Sequence, residues 1–521
     1  MLDAVHPAPE AVVRLIVDGQ LDRWDAAVAE RVFTSLASLQ MPADAGDLAG
    51  CFRWYLEEDR PQDTNAAFFI GLGLLLIERA WPERITPVMA KHLVAMKTGL
   101  ATWFRQAALH RDHRYANKHL GDLVCAWWLA EDLEDAEWQA ELLKACHDAA
   151  DYWLGDTAWG WGEHLSDTYC TVMLTELSAL LLFSHKLPEG LRNQALKLSH
   201  SLLAIEDAFA GGPRVPAIRS YAFTAAPDVP SYRSQVRAWD EFADAGLADT
   251  LPLTRYMRCF CGHLFHERGW EKLFPRVSSS ADLAIPAHGG AFGRAALRGQ
   301  ARLGSLSHFP IMAGIEHADW GLAWQSFPLA FHHSDGSWAF LQWAATENGV
   351  TRCHPAMDRR SGYLGSGLSA RREPPPPVGE TASFQEGGRV ACLRTLPESL
   401  DPVCNVADRL RILGPANVSV IAAPDGLLLK TSSAFLHAYA CAADPMIKPQ
   451  LKAVAGAQHW TLPVKQDPHA WIFSLDVPLA EAPVLTVSPQ GCRLKLIWAD
   501  GACWHLLGTR TAAGLRLHRE G

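Results

Sequence analysis

Apolar residues recur at helical spacing from about residue 10 to residue 275. The pattern predicts a series of helices separated by short connections that contain Pro, Gly or Asp. Helices joined in this way pair antiparallel, and no strict sequence repeat is visible, so helical hairpins closed into a toroid are favoured over a regular solenoid. The run 66–81 is apolar but shorter than a membrane span and ends among charged residues, which predicts a buried helix.

The pattern changes after Pro275. Residues 277–294 combine small side chains with glycines and predict a linker. The segments beyond are short, rich in β-branched and aromatic residues and bounded by turn formers, which indicates strands. Asp-Gly pairs at 335–336 and 500–501 lie between apolar runs and predict local hairpins. The proline-rich stretch 371–380 predicts an exposed loop.

These patterns together define a fold class. Helices first and strands afterwards predict segregated domains rather than alternating units. A chain of 521 residues is also too long for one core. The sequence therefore predicts an α+β multidomain protein, with an N-terminal incomplete (α/α) toroid at 1–280 followed by a C-terminal antiparallel β-sandwich at 281–521.

Composition and the N-terminal sequence limit the binding partners and the cellular location that are expected for this protein. The net charge of −10 gives no overall basic field for nucleic acid, although local arginines could still bind a polyanion. Twenty tryptophans against nine tyrosines supply indole faces that can stack on sugar rings or fill a core. The N-terminal sequence lacks a secretory pattern, so the expected location is cytoplasmic, or periplasmic or secreted if an export segment was removed. The twelve scattered cysteines predict mostly buried free thiols.

The densest group of polar and aromatic residues lies between residues 156 and 169, on a glycine-containing loop before a predicted helix. Its members are Trp159, Trp161, Glu163, His164 and Tyr169. Catalytic groups concentrate on loops held by a rigid scaffold. The structural alternative is a capped helix start, with Ser166 or Asp167 as N-cap and Tyr169 packed in the core.

Four segments carry a resemblance to a known group of enzymes. The sequence G-W-G-E-H-L-S-D-T-Y at 160–169, followed by an apolar helix, resembles the His-and-Tyr segment of the hyaluronate, chondroitin, xanthan and heparinase-like polysaccharide lyases. Upstream, 115–122 resembles their Asn-bearing segment, and downstream 211–223 resembles their Arg-bearing segment. Strands at 323–343 are similar to the start of their β half. Such lyases combine an (α/α) toroid with an antiparallel β domain.

The resemblance implies β-elimination beside a uronate carboxylate, with an acidic polysaccharide or oligosaccharide as partner and neither nucleic acid nor a membrane. Asn117 and Arg219 would neutralise the carboxylate. His164 would take the C5 proton. Tyr169 would protonate the departing oxygen, or do both steps when an arginine lowers its pKa, with Tyr221 as its substitute. The remaining substrate contacts would be Trp159, Trp161, Glu163, His119, Arg214, Tyr221, His317 and Trp320.

Cofactors are not expected. No phosphate-binding loop or dinucleotide glycine pattern is present. The β half contains several histidines, namely His308, His317, His332, His333 and His354, with Glu316 and Asp319 beside His317. A metal site occurs in this domain of some heparinase-like lyases, so a divalent cation is the alternative, but no pair has the spacing of a ligand motif. His317 and Trp320 would instead line a cleft at the domain junction.

Other interpretations stay open. A glycoside hydrolase on the same scaffold would use two carboxylates, Glu163 with Asp167 or with Asp240. A lyase is preferred because His, Tyr, Asn and Arg surround the loop. A non-catalytic protein that binds acidic carbohydrate and a uronate epimerase are further alternatives. Asn117 and His119 could also lie on a polar helix face, and Arg214 and Arg219 could be surface charges.

Overall fold

The computed structural model describes most of the chain. The described residues are 8–61, 63–109, 112–156, 158–160, 162–209, 212–218, 220, 232–237, 262–276, 281–308, 326–347, 350–352, 380–395, 405–415, 419–423, 426–454, 456–464, 468–511 and 514–520. Within these ranges, every helix is too short or too polar to span a membrane.

The chain forms two compact units. The first contains the described residues of 1–160, 168–211 and 229–278, and the second contains those of 161–167, 212–228 and 279–521. The main division between the two units lies at 278/279. However, the loop 162–167 and the segment 212–218 belong to the β unit, although sequence alone assigned them to the helical domain.

Helices make up the first unit. In chain order they are α1 (Ala8–Gln20), α2 (Ala26–Leu39), α3 (Asn65–Ala80), α4 (Pro87–Ala107), α5 (Ala116–Asp132), α6 (Ala136–Leu154), α7 (Asp167–Phe183), α8 (Glu189–Ala208), α9 (Tyr232–Arg237), α10 (Gly262–Glu267) and α11 (Trp270–Leu273). Asp25 and Asp135 cap α2 and α6 by accepting hydrogen bonds from backbone N–H groups of the first turn.

Helix α3 contains the apolar run that predicted a buried helix, and 12 of its 16 residues are buried, which confirms that prediction. It packs against α1 and α5. The approach to α1 is close: a Cβ atom at Gly73 would lie 2.2 Å from Cγ1 of Val12. Glycine is therefore needed at this position by packing rather than by backbone conformation.

Helices α3 and α5 run in the same direction. Near their amino ends, Nζ of Lys118 donates to the Thr64 carbonyl at 3.1 Å, and Nδ2 of Asn65 donates to the Tyr115 hydroxyl at 2.8 Å. At their carboxyl ends, Nη1 of Arg79 donates to Oε2 of Glu131 at 2.9 Å. Because like ends meet at both places, the two helices are parallel.

Helix α7 is parallel to α5 as well. A Cβ atom at Gly121 would lie 2.8 Å from Oε1 of Glu176, so the Glu176 side chain of α7 lies against the backbone of α5 there. At their carboxyl ends, the backbone N–H of Lys186 donates to Oε1 of Glu131 at 2.7 Å. In both contacts the α7 residue follows its α5 partner by 55 positions in the sequence, since Glu176 contacts Gly121 and Lys186 contacts Glu131. A residue of α5 therefore lies level with the residue numbered 55 higher in or after α7.

Strands make up most of the second unit. They are β1 (Asp282–Ala287), β2 (Ala291–Arg298), β3 (Ala301–Leu306), β4 (Leu329–His333), β5 (Trp338–Glu347), β6 (Val350–Arg352), β7 (Glu380–Glu386), β8 (Arg389–Thr395), β9 (Asn405–Leu413), β10 (Ser419–Ala423), β11 (Gly426–Lys430), β12 (Phe435–Ala442), β13 (Gln450–Val454), β14 (Ala457–Val464), β15 (His469–Leu475), β16 (Val484–Ser488), β17 (Gly491–Ile497), β18 (Cys503–Thr511) and β19 (Gly514–Arg519).

The strands form three antiparallel sheets. The first has the order β1-β2-β3-β4-β5-β9-β14-β13 with β6 beside β5, the second β10-β11-β12-β15-β8-β7, and the third β16-β17-β18-β19. Strand β15 shows the layering, because Trp471 and Phe473 pack in the core shared with the first sheet, whereas Ala470 and Ile472 pack in the core shared with the third. The chain is thus an α+β multidomain protein of helices followed by antiparallel sheets, with the second sheet as the middle layer of the β unit.

The predicted linker at 277–294 is wrong, because its described part contains β1 and the start of β2. The two strands pair in register from Asp282 opposite Ala296 to Ala287 opposite Ala291. Gly289 and Gly290 form the turn with φ of 67° and 71°, a region that glycine adopts without strain. Small residues here serve close packing: a Cβ at Gly293 would lie 3.3 Å from Cδ1 of Leu165.

Other local predictions have clear outcomes. The Asp-Gly pairs at 335–336 and 500–501 join β4 to β5 and β17 to β18, which confirms both hairpins. Residues 371–379 of the predicted proline-rich loop lie outside the described residues, and Glu380 begins β7. All eight cysteines in the described ranges are free thiols, and five are buried.

Candidate functional site

The loop before α7 has an unusual backbone. Ala158, Trp159 and Gly160 have φ of 37°, 58° and 57°, a left-handed region that costs energy for the first two. A Cβ at Gly160 would lie 2.4 Å from the carbonyl oxygen of Arg114, so only glycine fits. The Trp159 indole is 4% exposed and stacks on Trp153 with centroids 5.5 Å apart. Its contact with a sugar stays a prediction.

His164 lies in a buried 3₁₀ turn, Glu163–Leu165, and is 2% exposed. Its Nε2 atom lies 2.9 Å from the Pro286 carbonyl oxygen. Because a carbonyl only accepts, Nε2 carries the hydrogen and Nδ1 keeps its lone pair. Nδ1 has no hydrogen-bond partner among the described residues.

The environment of His164 keeps the imidazole neutral. Burial lowers the pKa of His164 to about 4, while the hydrogen bond to Pro286 opposes this and the nearby Arg214 charge lowers it further. At neutral pH Nδ1 is therefore unprotonated, which is the protonation state of a general base, and the atom is buried.

Asp167, the first residue of α7, holds the arginine segment against the His164 loop. Its Oδ1 accepts from the backbone N–H of Arg214 at 3.1 Å and from Nη1 of Arg214 at 3.2 Å. Its Oδ2 accepts from the Ser220 hydroxyl at 3.4 Å. Arg214 is buried, so the alternative of a surface charge is wrong for this residue. An ion-paired, buried Asp167 is also a poor candidate for the carboxylate pair of a glycoside hydrolase.

The segment 212–218 lies directly on the first sheet. A Cβ at Gly304 of β3 would lie 2.1 Å from the Val215 carbonyl oxygen. The backbone N–H of Phe327 donates to Ala217 at 2.8 Å, and the N–H of Ile218 donates to the Leu165 carbonyl at 3.4 Å. Strand β3, the arginine segment and the His164 loop therefore form one continuous structure within the β unit.

Two further polar residues join this structure from the sheet. Arg302 of β3 and His332 of β4 are cross-strand partners, with Nη1 of Arg302 3.4 Å from Nδ1 of His332. Sequence reasoning named His332 only as one member of a histidine group, and it missed Arg302. The alternation of side chains along a strand could have indicated Arg302. Its neighbours Ala301 and Leu303 face the core between the sheets, so the Arg302 side chain points to the opposite face.

Asn117 and Tyr169 belong to the helical unit. Asn117 is the second residue of α5 and 0% exposed, and Tyr169 is the third residue of α7 and 7% exposed. The constant offset between the parallel helices places Asn117 level with the first two turns of α7, which include Tyr169. The alternative of a polar helix face stays open for Asn117 and His119, and both residues are buried.

His119 holds the start of α5 in place. Its Nε2 lies 3.2 Å from the Ala108 carbonyl oxygen, and its Nδ1 lies 3.0 Å from Nδ1 of His113. The two imidazoles stack with centroids 4.8 Å apart. Both ring nitrogens therefore have protein partners, and a contact of His119 with substrate stays a prediction.

Sequence reasoning also missed the buried charges next to Asn117. Lys118 pairs with Asp122 at 3.7 Å, and both side chains are buried. Glu176 of α7 is buried too. Burial raises the pKa of the nearby Cys125 thiol, and the charges of Asp122 and Glu176 raise it further. A signal existed in the sequence, since charged residues inside otherwise apolar helices mark buried polar clusters.

Several predicted site residues lie outside the described residues: Trp161, Arg219, Tyr221, His317 and Trp320. The same holds for Asp240, Glu316, Asp319 and His354. Among the residues that the structure does describe, no group of three or more His, Cys, Asp or Glu side chains is arranged to hold a metal ion.

The chain was compared with known proteins. No protein-family model and no curated protein matches it. It is similar in structure to heparinase III, at 9% identity and a TM-score of 0.46, covering 87% of this chain and 77% of that one. It is similar also to the Streptomyces coelicolor A3 chondroitin AC lyase in complex with chondroitin sulphate, at 12% identity and a TM-score of 0.42, covering 99% and 83%.

Proposed function

We propose that the protein is a polysaccharide lyase that cleaves an acidic, uronate-containing polysaccharide by β-elimination. The observation that supports this most directly is the placement of Asn117 and Tyr169 at adjoining amino ends of the parallel helices α5 and α7. A neutral His164 precedes Tyr169 by five residues in the chain. An amide, a phenol and an unprotonated imidazole are the groups that such an elimination needs.

In this proposal the amide of Asn117 and the guanidinium of Arg219 bind the uronate carboxylate and stabilise charge that develops on it. The amino ends of α5 and α7 carry partial positive charge, which favours an anion at the same place. Trp159, Trp161, Glu163, His119, His317 and Trp320 would contact neighbouring sugars, and Arg214 would attract the acidic chain.

The proton steps follow from the state of each group. Nδ1 of His164 takes the C5 proton, and the electron pair left on C5 forms the C4–C5 double bond as the C4–O bond breaks. The Tyr169 hydroxyl gives its proton to the departing glycosidic oxygen, with Tyr221 as its substitute. Three bonds break, namely C5–H, C4–O and the tyrosine O–H, and three form, namely N–H on His164, the C4–C5 π bond and the O–H of the departing sugar. Return of the proton from His164 to the Tyr169 phenolate restores both groups, so the reaction consumes no water.

A screen of acidic polysaccharides tests this proposal. Hyaluronan, chondroitin sulphate, heparan sulphate and alginate would each be incubated with the full chain. We expect at least one to yield products that absorb in the near ultraviolet, because the new double bond is conjugated with the carboxylate. New reducing ends without this absorbance would identify a hydrolase. Solvent deuterium incorporated without cleavage would identify an epimerase, and binding without turnover a non-catalytic protein.

The acid limb of the pH profile should reflect the low pKa of His164. The imidazole acts as a base only when unprotonated, and burial lowers its pKa to about 4. We therefore expect kcat/KM on the cleaved polysaccharide to persist at pH 5.5 and to fall as pH drops towards 4. An acid limb centred near 6.5, the ordinary histidine value, would contradict a buried His164 as the base.

A further inference from the structure

The segment 212–218, which carries Arg214, lies over one face of the first sheet. Within the described strands β1–β5, Arg302 is the only arginine or lysine whose side chain points to that face. It lies on the face of the first sheet opposite to the core, and it is partly exposed although its neighbours in β3 are buried. A Cβ at Gly212 would lie 1.6 Å from Nη1 of Arg302, so the backbone of this segment runs directly beside the guanidinium.

His332 orients Arg302 from the neighbouring strand. Burial lowers the pKa of His332 to about 3, and the charges of Arg302 and His333 lower it further. The imidazole is therefore neutral, and its Nδ1 can accept from Nη1 of Arg302 at 3.4 Å. The ring also packs edge-on against Trp338 at 6.1 Å, which limits its rotation.

The electrostatic setting favours an anion. Arg214 and Arg302 both lie near Asp167: Arg214 is paired with it, and burial lowers the pKa of Arg302 while the Asp167 charge opposes this. His164 and His332 are both neutral for the reasons given above. This part of the β unit thus places two guanidinium groups around one carboxylate, and guanidinium groups bind carboxylates and sulphates through paired N–H donors.

We propose that Arg302, oriented by His332, binds a second acid group of the polysaccharide, distinct from the uronate carboxylate at the cleaved bond, and thereby selects the substrate. The ligand is a planar carboxylate of a neighbouring uronate or a sulphate ester. This inference rests on the proposed function, since it assigns a specificity role within the same site. Arg302 would be a binding residue and not an acid or base.

The test compares Arg302→Gln with Arg298→Gln. Arg298 of β2 pairs with Asp282 at 2.9 Å on the exposed surface, so it supplies the same change of charge without the proposed role. Binding of chondroitin sulphate and hyaluronan oligosaccharides would be measured by calorimetry, and kcat and KM by ultraviolet absorbance. We expect Arg302→Gln to weaken binding and raise KM about 10- to 100-fold, as loss of a charge-assisted hydrogen bond does, with kcat little changed.

A second variant separates binding from folding. Gly212→Ala would displace the guanidinium while keeping its charge, because the added methyl group would occupy the position of Nη1. We expect the same rise in KM from this variant, with thermal unfolding close to the wild type.

Each outcome decides between alternatives. Weaker binding of the sulphated oligosaccharide alone identifies a sulphate ester, and equal weakening of both ligands identifies a carboxylate. If Arg302→Gln and Gly212→Ala bind and turn over both ligands as Arg298→Gln does, the inference is wrong while the lyase proposal stands. If the wild type binds oligosaccharides without forming unsaturated products, the lyase proposal fails and the binding comparison still tests Arg302. A wild type that binds neither ligand overturns the inference about Arg302, while the screen of four polysaccharides decides the lyase proposal.

Discussion

Replacing Tyr169 by phenylalanine should lower kcat on the cleaved polysaccharide by about 10²- to 10⁴-fold, the usual contribution of a positioned acid or base. The ring is 7% exposed and packs in the first turn of α7, and phenylalanine keeps that packing. Only the hydroxyl is removed, so the affinity for oligosaccharide should change little. Steady-state kinetics by ultraviolet absorbance, together with calorimetric binding, would measure both quantities.

The matched control is Tyr439→Phe in β12 of the β unit. Its hydroxyl accepts a hydrogen bond from the backbone N–H of Leu479 at 3.0 Å, so the same atom is lost from a structural position. We expect this variant to keep the wild-type kcat. A Tyr169→Phe protein with wild-type kcat would show that the phenol is not the acid, and Tyr221 would then take its place in the proposal.

Replacing Asp408 by alanine should destabilise the β unit by about 3–5 kcal/mol, the typical cost of breaking a buried ion pair. Asp408 lies between the first two sheets and is fully buried. Its carboxylate accepts from Nε and Nη2 of Arg394 at 2.6 and 3.0 Å, from Nε2 of His469 at 2.8 Å and from Nε1 of Trp471 at 2.8 Å. Removing it leaves a buried guanidinium without its counter-charge.

The charge state of Asp408 supports this expectation. Burial alone would raise its pKa, but Arg394 and the hydrogen bond from His469 lower the pKa below the ordinary value. The carboxylate is therefore ionised in the folded protein, and the pair contributes stability at neutral pH that is lost as acid protonates it. Urea unfolding monitored by tryptophan fluorescence would measure the change in the free energy of unfolding, because Trp471 donates a hydrogen bond to Asp408.

Asp500→Ala is the control for Asp408. Asp500 pairs with Arg389 at the exposed β17–β18 hairpin, and exposed pairs contribute little. The free energy of unfolding of this variant should stay near that of the wild type. Equal effects of the two substitutions would contradict a special role of the buried network.

Local pattern was sufficient to predict many elements. Helical spacing predicted α3 as a buried helix, and the Asp-Gly pairs predicted the β4–β5 and β17–β18 turns, because these structures depend on residues close in sequence. The β1–β2 hairpin was missed since its strands are alanine-rich and contain a single β-branched residue, Ile285, the type that usually marks strands. Small side chains there are required by Leu165, which no local pattern reveals.

The candidate site shows the same division. The sequence predicted the His164 loop and the Asn117 segment as candidates, because a polar, glycine-containing loop before an apolar helix is a local sequence pattern. It assigned the loop to the helical domain, whereas residues 162–167 belong to the β unit through contacts such as His164 with Pro286, 122 positions away. It also missed Arg302, because the neighbours of its guanidinium, the Gly212 backbone and the His332 ring, are distant in sequence.

By itself, then, the sequence determined the order of helices before strands, the individual turns, and the residue types available for acid and base chemistry. These follow from spacing and from side-chain chemistry over short stretches of chain. Only the tertiary structure decided that His164 is neutral, that Asp167 is bound by Arg214, and that Asn117 and Tyr169 lie at like ends of parallel helices. Burial, charge pairing and helix direction all depend on contacts between distant residues, and such contacts exist only after the chain has folded.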